Sequence, residues 1–109
     1  MKDDKIYLLH IRDAIDQINQ YTSEGQSAFI KDPKTRDAVL RQLEIIGEAT
    51  KNISQTLREN NPSIPWKKIS GLRDKVIHEY FGVNLELVWN VVENQLPILK
   101  GNIAKLLAK

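Results

Sequence analysis

The chain has 109 residues, of which 41% are hydrophobic and 28% charged, with a formal net charge of +2 and no cysteine. This length suits one compact core and is short for two ordinary domains, so we expect residues 1–109 to form a single domain. The lack of cysteine excludes disulfides and thiolate metal sites, and the two histidines are too few for a zinc site without several carboxylates. We therefore expect neither a metal nor a cofactor.

The apolar residues occur in short periodic runs, well below the ~18 consecutive apolar residues that a membrane-spanning helix needs. Residues 1–5 are charged and lack the apolar stretch of a signal peptide, which predicts a cytoplasmic protein without a membrane anchor. The mildly positive charge permits contact with nucleic acid but falls short of the strongly basic profile of a dedicated DNA-binding domain. We therefore expect no DNA partner.

Two amphipathic helices are predicted in the first half of the chain. Residues 4–25 carry apolar side chains at three- and four-residue steps, namely Leu8, Ile11, Ile15 and Ile18. Asp32 and Pro33 supply an N-cap and a first-turn proline for the second helix. This helix is predicted to run without a break to Asn60 and Asn61, because Pro62 disfavours helix in the residue before it.

Two further helices are predicted in the second half. The third helix follows a rigid turn at residues 62–66 and is predicted to end at Gly82. The fourth helix is predicted to start at Asn84. Pro97 lies inside the fourth helix and is expected to kink or break it. No long stretch alternates with a period of two, so the predicted fold class is all-α, a bundle of four main helices.

The third helix has two apolar faces. Ile69, Leu72, Val76 and Tyr80 cluster on one side at 100° per residue, as a core-facing stripe would. A second face holds Asp74, Ile77, His78 and Phe81, and its large apolar side chains exceed what a solvated surface needs. We therefore predict a homodimer that uses this second face.

Arg73 and His78 form the pattern R-x-x-x-x-H, which Tyr80 extends to R-x-x-x-x-H-x-Y. Histidine suits proton transfer near neutral pH, and arginine suits a phosphate because its charge is permanent and it can bind two oxygens. Cleavage of RNA by its own 2′-hydroxyl needs both functions, and a dimer would supply two copies of each. Asp74, four residues before His78, is within reach to orient the imidazole.

The motif and its surroundings resemble HEPN-domain proteins of the HepT type. The resemblance covers nearly the whole chain and includes residues 45–49 (IIGEA), 64–69 (IPWKKI), 71–73 (GLR) and 80–82 (YFG). It implies a metal-independent endoribonuclease, the toxin of a type II toxin–antitoxin system, with Arg73 and His78 in a site shared between two subunits. It also implies a minimal nucleotidyltransferase as the antitoxin, which silences the toxin by attaching AMP to Tyr80.

Several residues keep alternative interpretations. Tyr80 also fits a core aromatic ring, and Lys67, Lys68 and Lys75 fit either RNA-backbone contacts or a solvated surface. Surface or interface charges are the simpler interpretation of Glu44 and Glu48, His10 is expected to be exposed, and Trp66 and Trp89 are expected to be packing residues. The rival function for the whole chain is a non-catalytic HEPN dimer that binds nucleotides or a nucleotidyltransferase.

Overall fold

The structure, a computed structural model, describes residues 2–72, residue 74 and residues 85–109. Its helices are α1 (Lys2–Tyr21), α2 (Gln26–Lys31), α3 (Pro33–Lys51), α4 (Gln55–Asn60), α5 (Trp66–Ser70), α6 (Leu85–Asn90), a π-helical segment (Val91–Gln95) and α7 (Leu96–Leu107). None of the described residues lies in a β-strand, and the all-α prediction is confirmed. No helix within these ranges has both the length and the apolar character needed to cross a bilayer.

The core lies where the apolar faces of α1, α3 and α7 meet. Helix α1 packs against both α3 and α7, and α5 also packs against α3. All four predicted core residues of α1 are buried, as are Val39, Leu43 and Ile46 of α3 and Leu96, Leu99 and Ile103 of α7. The periodicity of the first helix therefore predicted its core residues correctly.

The predicted second helix is in fact two helices, so the prediction of one unbroken helix to Asn60 is wrong. Helix α3 ends at Lys51, and α4 starts after Ser54, whose hydroxyl accepts a hydrogen bond from the Leu57 N–H. Arg58 donates to the Lys51 and Ile53 carbonyls at 2.9 Å each and so satisfies the end of α3. The periodic stripe continues across the break, which is why the break is not visible in the pattern.

The break is fixed to α1 by a buried carboxylate. Asp4 is 6% exposed and accepts hydrogen bonds from the Ser54 N–H at 2.8 Å and from the Ser54 hydroxyl at 2.6 Å. These bonds join residues 50 positions apart. Ser54 thus caps α4 and also satisfies a carboxylate that burial would otherwise penalise.

We expect Ser54→Ala to lower the free energy of unfolding by about 2 kcal/mol, because it removes a helix cap and one of two donors to Asp4. Urea unfolding monitored by circular dichroism would measure the loss. Ser27→Ala, at an exposed serine of α2, is the matched control and should change stability by less than about 0.5 kcal/mol. Equal stabilities for the two variants would contradict this role for Ser54.

Asp32 caps α3 as predicted. Its carboxylate accepts hydrogen bonds from the Lys34 N–H at 3.1 Å and from the Thr35 hydroxyl at 2.8 Å, and Pro33 occupies the first turn. The Thr35 hydroxyl and then the Lys34 N–H hold the pKa of Asp32 below its usual value of 3.8. The charged carboxylate is therefore the form that the folded chain favours.

A lowered carboxyl pKa stabilises the fold above the unfolded-state pKa, and this contribution is lost as pH falls through the folded-state pKa. For Asp32 the loss is expected below about pH 3.8. Asp32→Asn retains a capping side chain that does not titrate. The melting temperature of the wild type should therefore fall toward or below that of Asp32→Asn as pH is lowered through this range, and a constant difference would refute the expectation.

The predicted disturbance at Pro97 takes the form of a π-helical turn. The segment Val91–Gln95 is widened, and the Leu96 N–H donates to the Val91 carbonyl five residues earlier. In a regular α-helix Pro97 would clash with the carbonyl of Glu93 and leave it without a donor. The wider turn before Pro97 accommodates the proline ring, and the helical segments before and after the turn both keep buried apolar residues.

Candidate functional site

The segment that leads into the predicted motif is anchored to the core. Trp66 is buried, and its indole N–H donates to the Asn61 carbonyl at 2.9 Å. Ile69 and Leu72 are also buried, as their predicted place on the core-facing stripe requires. Since α5 packs against α3, the chain reaches Arg73 from a fixed starting point. Both tryptophans are packing residues as predicted, with Trp89 against Phe29 at 5.5 Å between ring centroids.

Most of the motif itself lies outside the described residues. This holds for Arg73, Lys75, His78 and Tyr80, and also for Ile77 and Phe81 of the predicted dimer face. Their roles remain predictions from the sequence and its family resemblance.

Asp74 is described and is exposed, in agreement with its predicted place off the core-facing stripe. Its Oδ1 lies 3.9 Å from Nζ of Lys51, the last residue of α3, and both side chains are largely solvated. Ion pairs of this kind contribute about 0–1 kcal/mol to stability, so the contact is mainly informative about where Lys51 lies relative to Asp74. It places a cation beside the residue that follows Arg73, and no motif in the sequence indicated Lys51.

Lys67 and Lys68 are exposed on α5, where either could contact an RNA backbone. Lys68 also borders a cavity of about 210 Å³ between α5 and the last helix, which Leu72 and Leu99 line. Exposure is compatible with both interpretations of these lysines, so their contact with RNA remains a prediction.

A larger groove of about 550 Å³ lies between α1 and α3. Tyr7 and His10 of α1 line one side, and their rings meet edge to face with centroids 6.1 Å apart. Glu44, Glu48 and Lys51 are among the residues on the α3 side. His10 is exposed as predicted, and Glu48 is an exposed charge, but the sequence did not indicate that these side chains share a groove.

The acidic residues of the groove have no arrangement typical of a metal centre. Glu44 is half-buried and lies 3.5 Å from the Arg41 guanidinium. Among the described residues, no group of three histidine, aspartate or glutamate side chains is placed to hold a metal ion.

An all-α fold in the described residues, together with the sequence pattern R-x-x-x-x-H-x-Y at residues 73–80, fits one class of protein, the helical ribonucleases. Residues 11–106 match the family model described as Ribonuclease HepT-like, and the chain belongs to that family. It is 46% identical over 103 residues to "Probable ribonuclease HepT" of Thermococcus cleftensis, an alignment that covers 94% of each chain.

Two other relatives support the same family. A protein of Caldanaerobacter subterraneus named as a candidate RNase is 41% identical over 110 residues, with 100% of this chain and 98% of that one covered. A Methanocaldococcus jannaschii protein, named as a gamma-glutamylcyclotransferase and candidate RNase, is 45% identical over 107 residues, which are 97% of this chain and 48% of that one. No solved structure matches the chain. The family and these names support ribonuclease activity on RNA.

Proposed function

We propose that this protein is a metal-independent endoribonuclease, the toxin of a type II toxin–antitoxin system. The observation that carries the proposal is the R-x-x-x-x-H-x-Y motif at residues 73–80 in a chain that matches the HepT-like ribonuclease family over residues 11–106. The anchoring of Trp66, Ile69 and Leu72 supports it, because a catalytic arginine must start from a rigid support. We place the protein in the cytoplasm, where its RNA substrate is made.

The proposed reaction is an internal transfer at phosphorus. The 2′-oxygen of the substrate attacks the adjacent phosphorus, the bond to the 5′-oxygen breaks, and the products are a 2′,3′-cyclic phosphate and a free 5′-hydroxyl. His78 takes the 2′-hydroxyl proton, a second histidine protonates the leaving oxygen, and Arg73 stabilises the charge on the phosphoryl oxygens. Asp74 orients the imidazole of His78.

The need for a second histidine supports a homodimer. Each chain carries one copy of the motif, so two copies of His78 meet only if two chains bring their motif faces together. The face defined by Asp74, Ile77, His78 and Phe81 is the proposed interface, since its apolar residues exceed what solvent requires.

The proposed partner is a minimal nucleotidyltransferase antitoxin that uses ATP. The Tyr80 oxygen would attack the α-phosphorus of ATP, lose its proton and release pyrophosphate. The attached AMP would bring a negative charge and the bulk of a base to a site that receives an RNA phosphate. Substrate would then be excluded by both charge and volume.

The test is cleavage of a defined RNA in buffer with and without a chelator. We expect the same rate in both, and products that end in a 2′,3′-cyclic phosphate, identified by mass spectrometry. Light scattering at micromolar concentration should give twice the mass of one chain. Loss of cleavage with the chelator would refute the mechanism, and a dimer without any cleavage would favour the rival binding module.

A further inference from the structure

The groove between α1 and α3 lies close to Asp74, the residue that follows Arg73 of the proposed catalytic motif. Lys51 lines the groove, and its Nζ lies 3.9 Å from Oδ1 of Asp74. Asp74 directly follows Arg73 in the chain, so we expect Arg73 to lie near the end of the groove that Lys51 forms. An RNA strand bound at Arg73 would therefore pass close to this groove.

The size and shape of the groove suit a nucleotide. Its volume of about 550 Å³ is within the roughly 300–1,000 Å³ of small-molecule sites. A second depression of about 310 Å³ continues it along the same two helices, sharing His10 and Ile45 and adding the amides of Gln17 and Gln42. The two depressions therefore adjoin at His10 and Ile45, which offers room for more than one nucleotide of a single strand.

The side chains of the groove match the parts of a nucleotide. Tyr7 and His10 offer aromatic rings, on which the bases of single-stranded RNA stack. The carboxylates of Glu44 and Glu48 can accept hydrogen bonds from the N–H groups of a base, and the ammonium group of Lys51 can bind a phosphate. Lys51 lies at the end of the groove nearest to Asp74, and the cleaved phosphate is expected near that residue.

The groove is less suited to a protein partner. The large apolar side chains that are exposed in the described part of the chain are Ile6, Tyr21, Ile30, Leu87 and Ile98, and none of these lines the groove. The lining carries charges of both signs, whereas the centre of a protein interface is poor in charged residues.

We propose that the α1–α3 groove is a subsite for single-stranded RNA that holds a nucleotide next to the cleaved bond. Tyr7 and His10 contact its base, and Lys51 contacts its phosphate. The proposal rests on the proposed ribonuclease function, but binding in the groove can be measured without cleavage. A single-stranded 2′-O-methyl oligonucleotide is the probe, because it lacks the free 2′-hydroxyl that would attack the phosphorus.

The experiment compares His10→Ala and Lys51→Ala with two controls at exposed positions outside the groove, Asn19→Ala on α1 and Lys105→Ala on α7. Affinity for the labelled probe is measured by fluorescence anisotropy at several salt concentrations. We expect His10→Ala to weaken binding about tenfold through lost stacking. Lys51→Ala should reduce the slope of log affinity against log salt by about 0.7, the value for one phosphate contact on a single strand.

The outcomes separate the subsite from the ribonuclease function. If the wild type cleaves RNA but all four variants bind the probe with the affinity and salt dependence of the wild type, the subsite is refuted and the function stands. If the wild type shows the expected binding pattern but cleaves no RNA, the function fails and the subsite stands. If light scattering shows that His10→Ala or Lys51→Ala dissociates a dimer, the groove is an interface between copies, which overturns the proposal. A wild type that neither binds nor cleaves overturns both.

Discussion

Replacement of His78 by alanine is expected to lower the rate of RNA cleavage by roughly 10²–10⁴-fold, the usual contribution of a group that transfers a proton in the transition state. Arg73→Ala should cause a loss of similar size, because the charge that develops on the phosphoryl oxygens would lose its cation. Single-turnover cleavage of a labelled RNA would measure both effects.

The controls for these variants come from the described helices. Arg12→Ala removes an exposed arginine of α1 that pairs with the neighbouring Asp13, and it should retain the wild-type rate. Circular dichroism and urea unfolding would confirm that all variants fold alike. Cleavage that survives both His78→Ala and Arg73→Ala would refute the assigned roles, whatever the result for Arg12→Ala.

The second large effect is the silencing of the toxin through Tyr80. After incubation with the proposed nucleotidyltransferase and ATP, we expect the chain to gain the mass of AMP and to lose its RNA cleavage. Tyr80→Phe removes only the hydroxyl that accepts AMP, so this variant should gain no mass and should stay active. Peptide mass spectrometry and the cleavage assay together measure the effect.

Tyr21 supplies the matched control for Tyr80. Its side chain is 36% exposed and offers another accessible tyrosine hydroxyl, so Tyr21→Phe should be modified and silenced like the wild type. AMP that maps to Tyr21 or Tyr7, or a Tyr80→Phe variant that is still silenced covalently, would contradict the proposal.

The fold could be predicted from the sequence wherever the apolar pattern and the local capping residues agree. Asp32 with Pro33 marked the start of α3, and Pro97 marked the disturbance of the last helix. The break between α3 and α4 was not predicted in this way, because the apolar stripe continues across it and the contact that fixes it to α1 joins Ser54 to Asp4, 50 residues away. A short-range pattern contains no information on a contact of that separation.

In the candidate site, too, residues of one short segment could be predicted, whereas residues that meet only through packing could not. The motif residues share one short segment, so their spacing and family resemblance gave Arg73, His78 and Tyr80 specific predicted roles. The α1–α3 groove draws its side chains from two helices that meet only in the fold. Tyr7 and Glu48 look like ordinary helix residues when each is considered in its own segment, and packing alone brings them to the same groove.

The π-helical turn at Val91–Gln95 also limits how the length of this chain can vary during evolution. Deletion of one residue there would restore a regular α-helix, because the π-helical turn contains one extra residue, and later side chains would keep roughly their orientation toward the core. Pro97 would then oppose a carbonyl in a turn of ordinary width, with the clash that the wider turn avoids. Insertions and deletions are therefore expected to accumulate in the loops between helices, while the spacing from Val88 to Ile103 stays constant.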